Sequence, residues 1–332
     1  MIALLARRFA TAALLLWLVV TAVFFLAHAA PGDPSFLTES PRFSAADRAQ
    51  LRKTLGLDRP LAEQYALWLG DALRGDWGVS LAQARPVANI VAEAIPPTLE
   101  LASAAILIQM ILGFSLGTAA ALAHDRPLDH AIRAVMLVLF SIPVFWFGLM
   151  AILAFAVRWP ILPAGGLSSI DSGDLSLLAQ GADLARHVAL PAAVIGVAQS
   201  GALARFVRTS LLDVLGQEWV RMARARGLPA WRVIWVHAAR NALAPVLQVL
   251  ALSVPILLSG ALITEVVFSR PGLGRIAFVA VTGRDYPVVL ATTAFSGALV
   301  ILANLAADLL HAAVDPTADV LHAAAEPQPG DA

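Results

Sequence analysis

Cysteine is absent from the 332 residues, which excludes disulfide bonds, thiolate metal sites and cysteine nucleophiles. Lysine occurs once, and charged residues of both signs make up only 14% of the chain, whereas soluble domains carry about 25%. The 23 basic and 23 acidic residues cancel, so the chain lacks the positive excess that is typical of nucleic-acid binders. The remaining composition is 59% hydrophobic with a mean hydropathy of +0.77, which indicates a membrane protein.

The single lysine also bears on ATP hydrolysis. A phosphate-binding loop has the pattern Gly-x-x-x-x-Gly-Lys-Ser/Thr, in which backbone amides surround the phosphates and the lysine reaches the terminal ones. Lys53 is followed by Thr54, but Arg52 precedes it in place of the required glycine. We therefore expect the chain not to be an ATPase by itself, and we expect no cofactor.

Six segments are long and apolar enough to cross a bilayer, for which about 20 residues are needed. They are approximately Phe9–Ala29, Leu99–Ala123, Ala131–Val157, Val188–Phe206, Leu243–Thr264 and Pro287–Val314. The third, fourth and fifth contain Pro143, Pro191 and Pro255, and we expect kinks there because proline removes a helix hydrogen bond. The sequence therefore predicts an all-α, polytopic membrane protein with six transmembrane helices.

Arginines concentrate in three short connections. Arg7 and Arg8 precede the first span. Arg126 and Arg133 flank the link between the second and third spans, and further arginines crowd the link between the fourth and fifth. Because short arginine-rich loops stay cytoplasmic, both termini are predicted to be cytoplasmic. The first span is also compatible with a cleaved signal peptide, although its apolar run of about 20 residues exceeds the usual length of about 7 to 15.

The connections on the other side include one long extracytoplasmic segment, at 31–97. Glycine and proline interrupt amphipathic helices in it, and we expect it to fold as a cap on the outer membrane surface. The predicted organisation is an amino-terminal transmembrane helix at 1–30, this segment, a five-helix core at 98–315 that includes a cytoplasmic loop at 207–241, and a disordered cytoplasmic tail at 316–332.

The loop between the fourth and fifth spans contains the most basic stretch, EWVRMARARGLPAW. Read as a helix, it has Glu218 in its first turn and Arg224 and Arg226 in its last, and both placements are favourable to the helix macrodipole. Gly227 is predicted to close this helix in the left-handed conformation, and Pro229 to begin a second helix. A helix, a tight turn and another helix therefore project from the inner membrane face.

Four interpretations of this basic element compete. The arginines can be a simple cytoplasmic anchor, they can attract anionic lipid at about 1 kcal/mol each, they can bind nucleic acid, or the helix can dock into a partner protein. Two or three arginines would suffice for an anchor, and the balanced net charge disfavours nucleic acid. Chemistry alone leaves lipid attraction and docking equally open.

Two other motifs have both a chemical and a structural interpretation. GFSLG, from Gly113 to Gly117, matches the nucleophile elbow of serine hydrolases, but it lies inside a predicted span, where Gly-x-x-x-Gly lets two helices approach closely. HDRPLDH, from His124 to His130, offers two histidines and two aspartates to a metal, but its proline and its exposed position favour a solvated turn. We favour the structural interpretation of both motifs.

Polar side chains within or near the predicted spans are candidates for lining a pathway or for hydrogen bonds between helices. They are Gln109, Gln199, Gln248, Asn304 and Asp308. Asp308 is close to the inner end of the sixth span, where it can instead face water.

The basic stretch and its continuation, EWVRMARARGLPAWRVIWVHAARNALAPVL, resemble the cytoplasmic EAA loop of ABC-importer permease subunits, in the dipeptide, oligopeptide and nickel branch. Residues that match this loop are Ala223, Gly227, His237, Asn241 and Pro245. The segments PGDP, IPPTLELA, SIPVFWFGL, VVFSRPGLGR and RDYPVV resemble the same branch in the same order, so the resemblance covers nearly the whole chain.

This resemblance implies the type I ABC importer permease fold and the inward transport of dipeptides, oligopeptides or a related small solute such as a nickel chelate, across the cytoplasmic membrane of a bacterium or archaeon. The implied partners are a second homologous permease subunit, two cytoplasmic ATPase subunits, an extracytoplasmic substrate-binding protein and membrane lipid, with no nucleic acid.

In this family the EAA helix acts as a coupling helix, which sits in a cleft on an ATPase and moves the spans when the ATPases close around ATP. The residues expected to take part are Glu218, Arg221, Ala223, Arg224, Arg226, Gly227, His237, Asn241 and Pro245. The alternative function is a membrane-embedded serine hydrolase that uses Ser115.

Overall fold

The computed structural model describes residues 2–29, 58–229, 232–233 and 261–314, and these residues are mostly helical. Helices α1 to α9 are Ile2–Ala29, Leu61–Leu73, Val87–Leu122, Pro127–Ser141, Val144–Ile152, Leu177–Leu215, Glu218–Ala225, Leu273–Thr282 and Tyr286–Val314. A π-helical turn at Leu153–Arg158 extends α5, a 3₁₀ turn at Ile170–Asp174 precedes α6, and residues 261–267 are also helical. The described residues contain no β-strand, so the prediction of an all-α chain is confirmed for them.

Among the described residues, four helices are long and apolar enough to cross a membrane. Their spanning segments are Phe9–Ala29, Val87–Leu122, Leu177–Leu215 and Tyr286–Ala306. A fifth candidate is the pair formed by Pro127–Ser141 and Val144–Arg158, which meet at an angle of 97°. The first, second, fourth and sixth predicted spans thus coincide with continuous helices, and the third coincides with the bent pair. The predicted span at Leu243–Thr264 lies outside the described residues except for its last four, which are helical.

The bend between α4 and α5 arises at the predicted proline. Pro143 restricts the residue before it to extended backbone, and Ile142 has φ −76° and ψ 127°, so that α4 ends at Ser141. The kink predicted at Pro143 is therefore a complete break of the helix. By contrast, α6 continues without interruption through Pro191, and Pro255 lies outside the described residues.

Two helices extend beyond the spans that hydropathy predicts. α3 begins at Val87 rather than near Leu99, and its added turns bury Val87 and Val91 against apolar residues of α8 and α9. α6 begins at Leu177, where the Ser176 side chain accepts a hydrogen bond from the amide of Ala179. Its 39 residues span about 58 Å, roughly twice the hydrocarbon thickness of a bilayer, so α6 projects beyond the apolar layer.

The described residues divide into two compact units. Unit one comprises the described residues within Met1–Leu99 and Ser269–Ile301. Within it, Val20 and Phe24 of α1 are buried, and Leu16 of α1 lies so close to Gly297 of α9 that a Cβ at that glycine would be 2.6 Å from the leucine side chain. The amino-terminal helix is therefore packed into the fold of unit one.

Unit two comprises the described residues within Glu100–Phe268 and Leu302–Ala332, and glycines bring its helices into close contact. A Cβ at Gly117 of α3 would lie 2.5 Å from the Ala204 carbonyl oxygen of α6, and one at Gly196 of α6 would lie 2.7 Å from the Ala105 carbonyl oxygen of α3. Gly201 of α6 approaches α4 in the same way. Such spacing requires glycine because any larger residue would push the helix backbones apart.

Candidate functional site

The basic element predicted in the sequence forms a short helix attached directly to the end of α6. Gly216 caps α6 with φ −77°, and the next carbonyl, that of Gln217, already accepts bonds from the amides of Val220 and Arg221 in α7. The Arg221 guanidinium turns back and donates a hydrogen bond to the Gly216 carbonyl at 3.3 Å. This hydrogen bond stabilises the joint between α6 and α7.

α7 has one buried side and one exposed side. Val220 is completely buried, whereas most other residues of α7 are exposed, among them Trp219 and Met222, and so is Arg226 directly after the helix. Trp219, Met222 and Arg226 lie at positions i, i+3 and i+7, which places them on the same side of the helix and its closing turn. Glu218 is in the first turn, as predicted, where its carboxylate is favourable to the helix macrodipole. We call this face, formed by Trp219, Met222 and Arg226, the exposed face of α7.

The turn that ends α7 confirms the predicted role of Gly227 in local structure. Its φ is +77°, and the amide of Leu228 donates to the Ala223 carbonyl at 3.3 Å, which is the long hydrogen bond of a Schellman motif. The Pro229 carbonyl then accepts bonds from the amides of Arg232 and Val233, so a second helical turn begins where the sequence predicts it. Helix α7 ends at Ala225, one residue before Arg226.

The other predicted site residues are dispersed or undescribed. His237, Asn241, Pro245 and Gln248 lie outside the described residues. Gln109 is buried in α3, Gln199 is half-buried in α6, and Asn304 is exposed on α9. Asp308 lies in the carboxyl-terminal part of α9.

The loop before α4 brings together several polar side chains. Potential ligand atoms of His124, Asp125 and Asp129 all lie within 4.8 Å of one another. Arg208 of α6 already binds the buried carboxylate of this cluster: its Nε donates to Asp129 Oδ1 at 2.8 Å and its Nη2 to Asp129 Oδ2 at 2.6 Å. A guanidinium bonded to both carboxylate oxygens opposes a metal cation there, because the two positive charges would repel each other.

The histidine of this cluster is oriented by the same arginine. Arg208 Nη2 lies 3.1 Å from Nδ1 of His124, and because arginine can only donate, Nδ1 is the acceptor in this contact. His124 Nε2 lies 3.4 Å from Asp125 Oδ2. The prediction of a solvated turn is right for His124, Asp125 and His130, which are exposed, and wrong for Asp129, which is completely buried in its ion pair with α6.

Comparisons with known proteins decide the family. Residues 113–320 match the family of binding-protein-dependent transport system inner membrane components, and residues 1–102 match the amino-terminal family of the membrane component of such systems. The chain belongs to this family of permeases. It is therefore a multi-pass protein of the cytoplasmic membrane and the membrane component of an ABC transporter.

The permease has curated relatives throughout most of its length. It is 36% identical over 294 residues to the oligopeptide transport system permease protein AppB of Bacillus subtilis (strain 168), covering 88% of this chain and 92% of that one. It is 37% identical over 310 residues to the dipeptide transport system permease protein DppB of Escherichia coli (strain K12), covering 88% and 91%. It is 38% identical over 314 residues to the di/tripeptide transport system permease protein DppB of Pseudomonas aeruginosa (strain UCBPP-PA14), covering 90% and 93%.

Solved structures show the fold of the permease. A chain of the MetNI methionine ABC transporter in an inward-facing conformation aligns with a TM-score of 0.52 at 17% identity, covering 68% of this chain and 96% of that chain. A chain of an amino acid ABC transporter aligns with a TM-score of 0.50 at 14% identity, covering 67% and 93%. The predicted resemblance to ABC importer permeases of the dipeptide and oligopeptide branch is confirmed.

Ser115 of the permease does not support the alternative of a serine hydrolase. A nucleophile elbow places serine on a sharp turn between a strand and a helix, whereas Ser115 lies inside the uninterrupted helix α3. A Cβ at the neighbouring Gly113 would lie 2.6 Å from the side chain of Leu203, so the glycines of this motif serve the close packing of α3 on α6. The packing interpretation is confirmed.

A buried carboxylate in unit one is a feature of the permease that the sequence analysis did not single out. Asp285 accepts hydrogen bonds from the Ser80 hydroxyl at 2.5 Å and from the amides of Leu81 and Ala82 at 3.2 Å. These bonds fix the loop before α3 to the turn before α9. The one available sequence signal is that Asp285 belongs to RDYPVV, a segment on which the family resemblance rests.

Proposed function

We propose that this permease moves dipeptides, oligopeptides or a related small solute, such as a nickel chelate, inward across the cytoplasmic membrane. ATP hydrolysis in partner subunits drives the transport. Support comes from curated relatives, matched over more than 90% of their own length, that are named as oligopeptide, dipeptide and di/tripeptide permeases.

The proposed topology has six spans with both termini cytoplasmic. Four continuous helices and the bent pair of α4 and α5 account for five spans, and the segment at 243–264 would supply the sixth. In this topology residues 31–97 and the loop before α6 face outward, while the links rich in arginine face inward. The five-helix core at 98–315 would carry the cytoplasmic loop at 207–241, and residues 316–332 would form a cytoplasmic tail.

α7 is proposed as the coupling helix. It would sit in a cleft on an ATPase subunit. The partners of the whole permease would be two ATPase subunits below the membrane, a second homologous permease subunit, and an extracytoplasmic substrate-binding protein above. The observation that carries this proposal is that α7 is held at both ends, by Arg221 on the Gly216 carbonyl and by the turn at Gly227, while its exposed face is open to a partner. A helix held in this way would transmit a displacement of its exposed face directly to α6.

Individual residues have distinct roles in the proposed coupling. Trp219 and Met222 would fill a cleft on the ATPase, and Arg226 would pair with a carboxylate there. Arg221, which the sequence analysis grouped with the docking arginines, is proposed to brace the joint instead, because its guanidinium bonds within the chain. The proposed coupling set otherwise keeps its members: Glu218, Ala223, Arg224, Gly227, His237, Asn241 and Pro245.

ATP-dependent dipeptide uptake tests the coupling proposal. The complete transporter would be reconstituted in vesicles with its ATPases and binding protein, and uptake and ATP hydrolysis would be measured together. Gly227→Pro should abolish uptake, because proline fixes φ near −65° and cannot adopt the observed +77°. Gly216→Ala is the matched control, since Gly216 caps the neighbouring helix at φ −77°, which alanine adopts readily.

Unchanged uptake in Gly227→Pro would refute α7 as the coupling helix and leave it as a membrane anchor. Loss of uptake in Gly216→Ala as well would attribute the effect to general damage to the joint, which also contradicts a specific role for the turn. Membrane content of each variant would be measured alongside, so that uptake is compared per inserted molecule.

A further inference from the structure

A cavity of about 650 Å³ lies between α4 and α6 in unit two. The ionisable residues that line it are mainly basic, with three arginines and two histidines against one aspartate. Arg133 comes from α4, and Arg205 and Arg208 come from α6, while Ala134 and Leu137 of α4 give the cavity an apolar wall. A cavity with such a lining attracts an anion that also carries apolar groups.

The arginines of the cavity differ in how their charges are balanced. Arg208 is neutralised by Asp129. Arg133 and Arg205 make no ion pair anywhere in the described part of the chain, and both are exposed. The Arg205 guanidinium is positioned 5.9 Å from the centre of the Phe140 ring, which holds it by a cation–π contact. Asp125 also lines the cavity, but its carboxylate contacts His124 and neither of these two arginines.

Guanidinium groups match the oxygens of a phosphate group, with which they form paired hydrogen bonds. The surface beside the cavity is apolar and exposed, because Leu137, Val138 and Phe140 of α4 point away from the protein core. In a membrane protein such a surface faces acyl chains. Basic cavities between membrane helices accept anionic lipid headgroups in this arrangement.

We propose that this cavity binds the phosphate group of an anionic phospholipid, with Arg133 and Arg205 as its donors and the acyl chains on the exposed surface of α4. The N–H groups of Arg208 that are not bonded to Asp129 are further donors, and the ion pair with Asp129 fixes the position of the Arg208 side chain in the site. The site lies on α6 about 10 Å before the joint with α7, so a bound headgroup would hold α4 and α6 together beside that joint.

Lipid binding by the full-length protein tests the proposal. Phosphatidylglycerol and phosphatidylcholine would each be titrated into the purified permease in detergent, and bound lipid counted by native mass spectrometry. Arg133→Gln and Arg205→Gln should each weaken phosphatidylglycerol binding about fivefold, as expected for one arginine near a membrane surface. Arg126→Gln is the matched control, because Arg126 is an exposed arginine of the same connection that does not line the cavity.

The expected result is that Arg126→Gln binds phosphatidylglycerol like the wild type and that phosphatidylcholine binds weakly to every variant. Equal weakening in Arg126→Gln would overturn the proposal, because the effect would then follow net charge alone. Equal binding of the two lipids would also overturn it. Inorganic phosphate would be added in excess: if it displaces phosphatidylglycerol, the site takes a free anion and the lipid assignment is wrong.

Folding of the variants is checked in the absence of added lipid. Because Arg133 and Arg205 are exposed, both glutamine variants should unfold at the wild-type temperature in detergent. Arg133→Lys keeps the positive charge and should bind phosphatidylglycerol more tightly than Arg133→Gln. If Arg133→Lys binds no better than Arg133→Gln while remaining folded, a charge-based phosphate site is refuted.

Discussion

Because α3 and α6 approach each other closely, we expect that adding one methyl group at their contact will lower the free energy of unfolding substantially. In Gly117→Ala the new Cβ would lie 2.5 Å from the Ala204 carbonyl oxygen and 2.7 Å from the Val207 Cβ. Ordinary contact begins at 3.4 Å, so the two helices must separate by just under 1 Å. The nearest atom, the Ala204 carbonyl oxygen, belongs to the backbone, so no side-chain rotation can relieve the clash.

The size of the effect follows from the contacts that such a separation loses. A gap of about 0.5 to 1 Å forfeits roughly a quarter to a half of the dispersion energy of each contact along the seam. Overpacked core positions are destabilised by about 1 to 3 kcal/mol, and we expect Gly117→Ala in the upper half of that range. Gly196→Ala, on the facing helix, should behave alike, since its Cβ would lie 2.7 Å from the Ala105 carbonyl oxygen.

The assay is equilibrium unfolding of the purified full-length protein in mixed micelles, titrated with sodium dodecyl sulfate and followed by circular dichroism. Gly181→Ala is the control, because Gly181 lies in α6 and its Cβ would meet nothing within 4 Å. Helix propensity should make this control neutral or more stable by up to about 1 kcal/mol. If Gly117→Ala is as stable as Gly181→Ala, the helices adjust without cost and the reasoning from close packing fails.

Three further predictions concern single polar residues. Ser115→Ala should leave dipeptide uptake at the wild-type rate, because Ser115 lies within a packing motif of α3; loss of uptake in a folded variant would contradict this. Asp285→Asn should raise the rate at which the loop before α3 is cut in limited proteolysis, since one acceptor oxygen becomes a donor and a buried charged hydrogen bond is worth about 2 kcal/mol. The same change at exposed Asp71 should leave the cleavage rate unaltered. Asp129→Asn should lower the midpoint of unfolding in detergent, because Arg208 loses its balancing charge. Asp125→Asn changes an exposed neighbour and should have little effect on the midpoint. Equal midpoints for the two variants would show that the buried pair adds no stability.

Features fixed by neighbouring residues were predictable from the sequence. The left-handed turn at Gly227, the position of the bend at Pro143 and the glycine contacts at Gly113 and Gly117 each depend on the backbone freedom or size of a single residue, although a kink and not a complete break was predicted at Pro143. The positions of four spans were predictable for a similar reason, because hydropathy reports the local fit to a bilayer.

Features that join distant segments were not predictable in this way. Asp129 and Arg208 are 79 residues apart, and Asp285 and Ser80 are 205 apart, so no local pattern indicates that either pair meets. Helix ends were missed for a related reason. The added turns of α3 are stabilised by contacts with α8 and α9, which a hydropathy window over α3 does not include.

The length and continuity of α6 have a mechanical consequence. Gly201 rests against the Met136 carbonyl of α4 with no side chain between them, and this contact divides α6 unequally. About 21 Å of helix lies between Gly201 and the joint with α7, and about 36 Å lies on the other side, toward Leu177. If α6 rocks about this contact, each ångström of movement at the α7 end becomes about 1.7 Å at the far end, in the opposite direction. If α7 is the coupling helix that we propose, a small closure beneath it would be enlarged at the far end of α6.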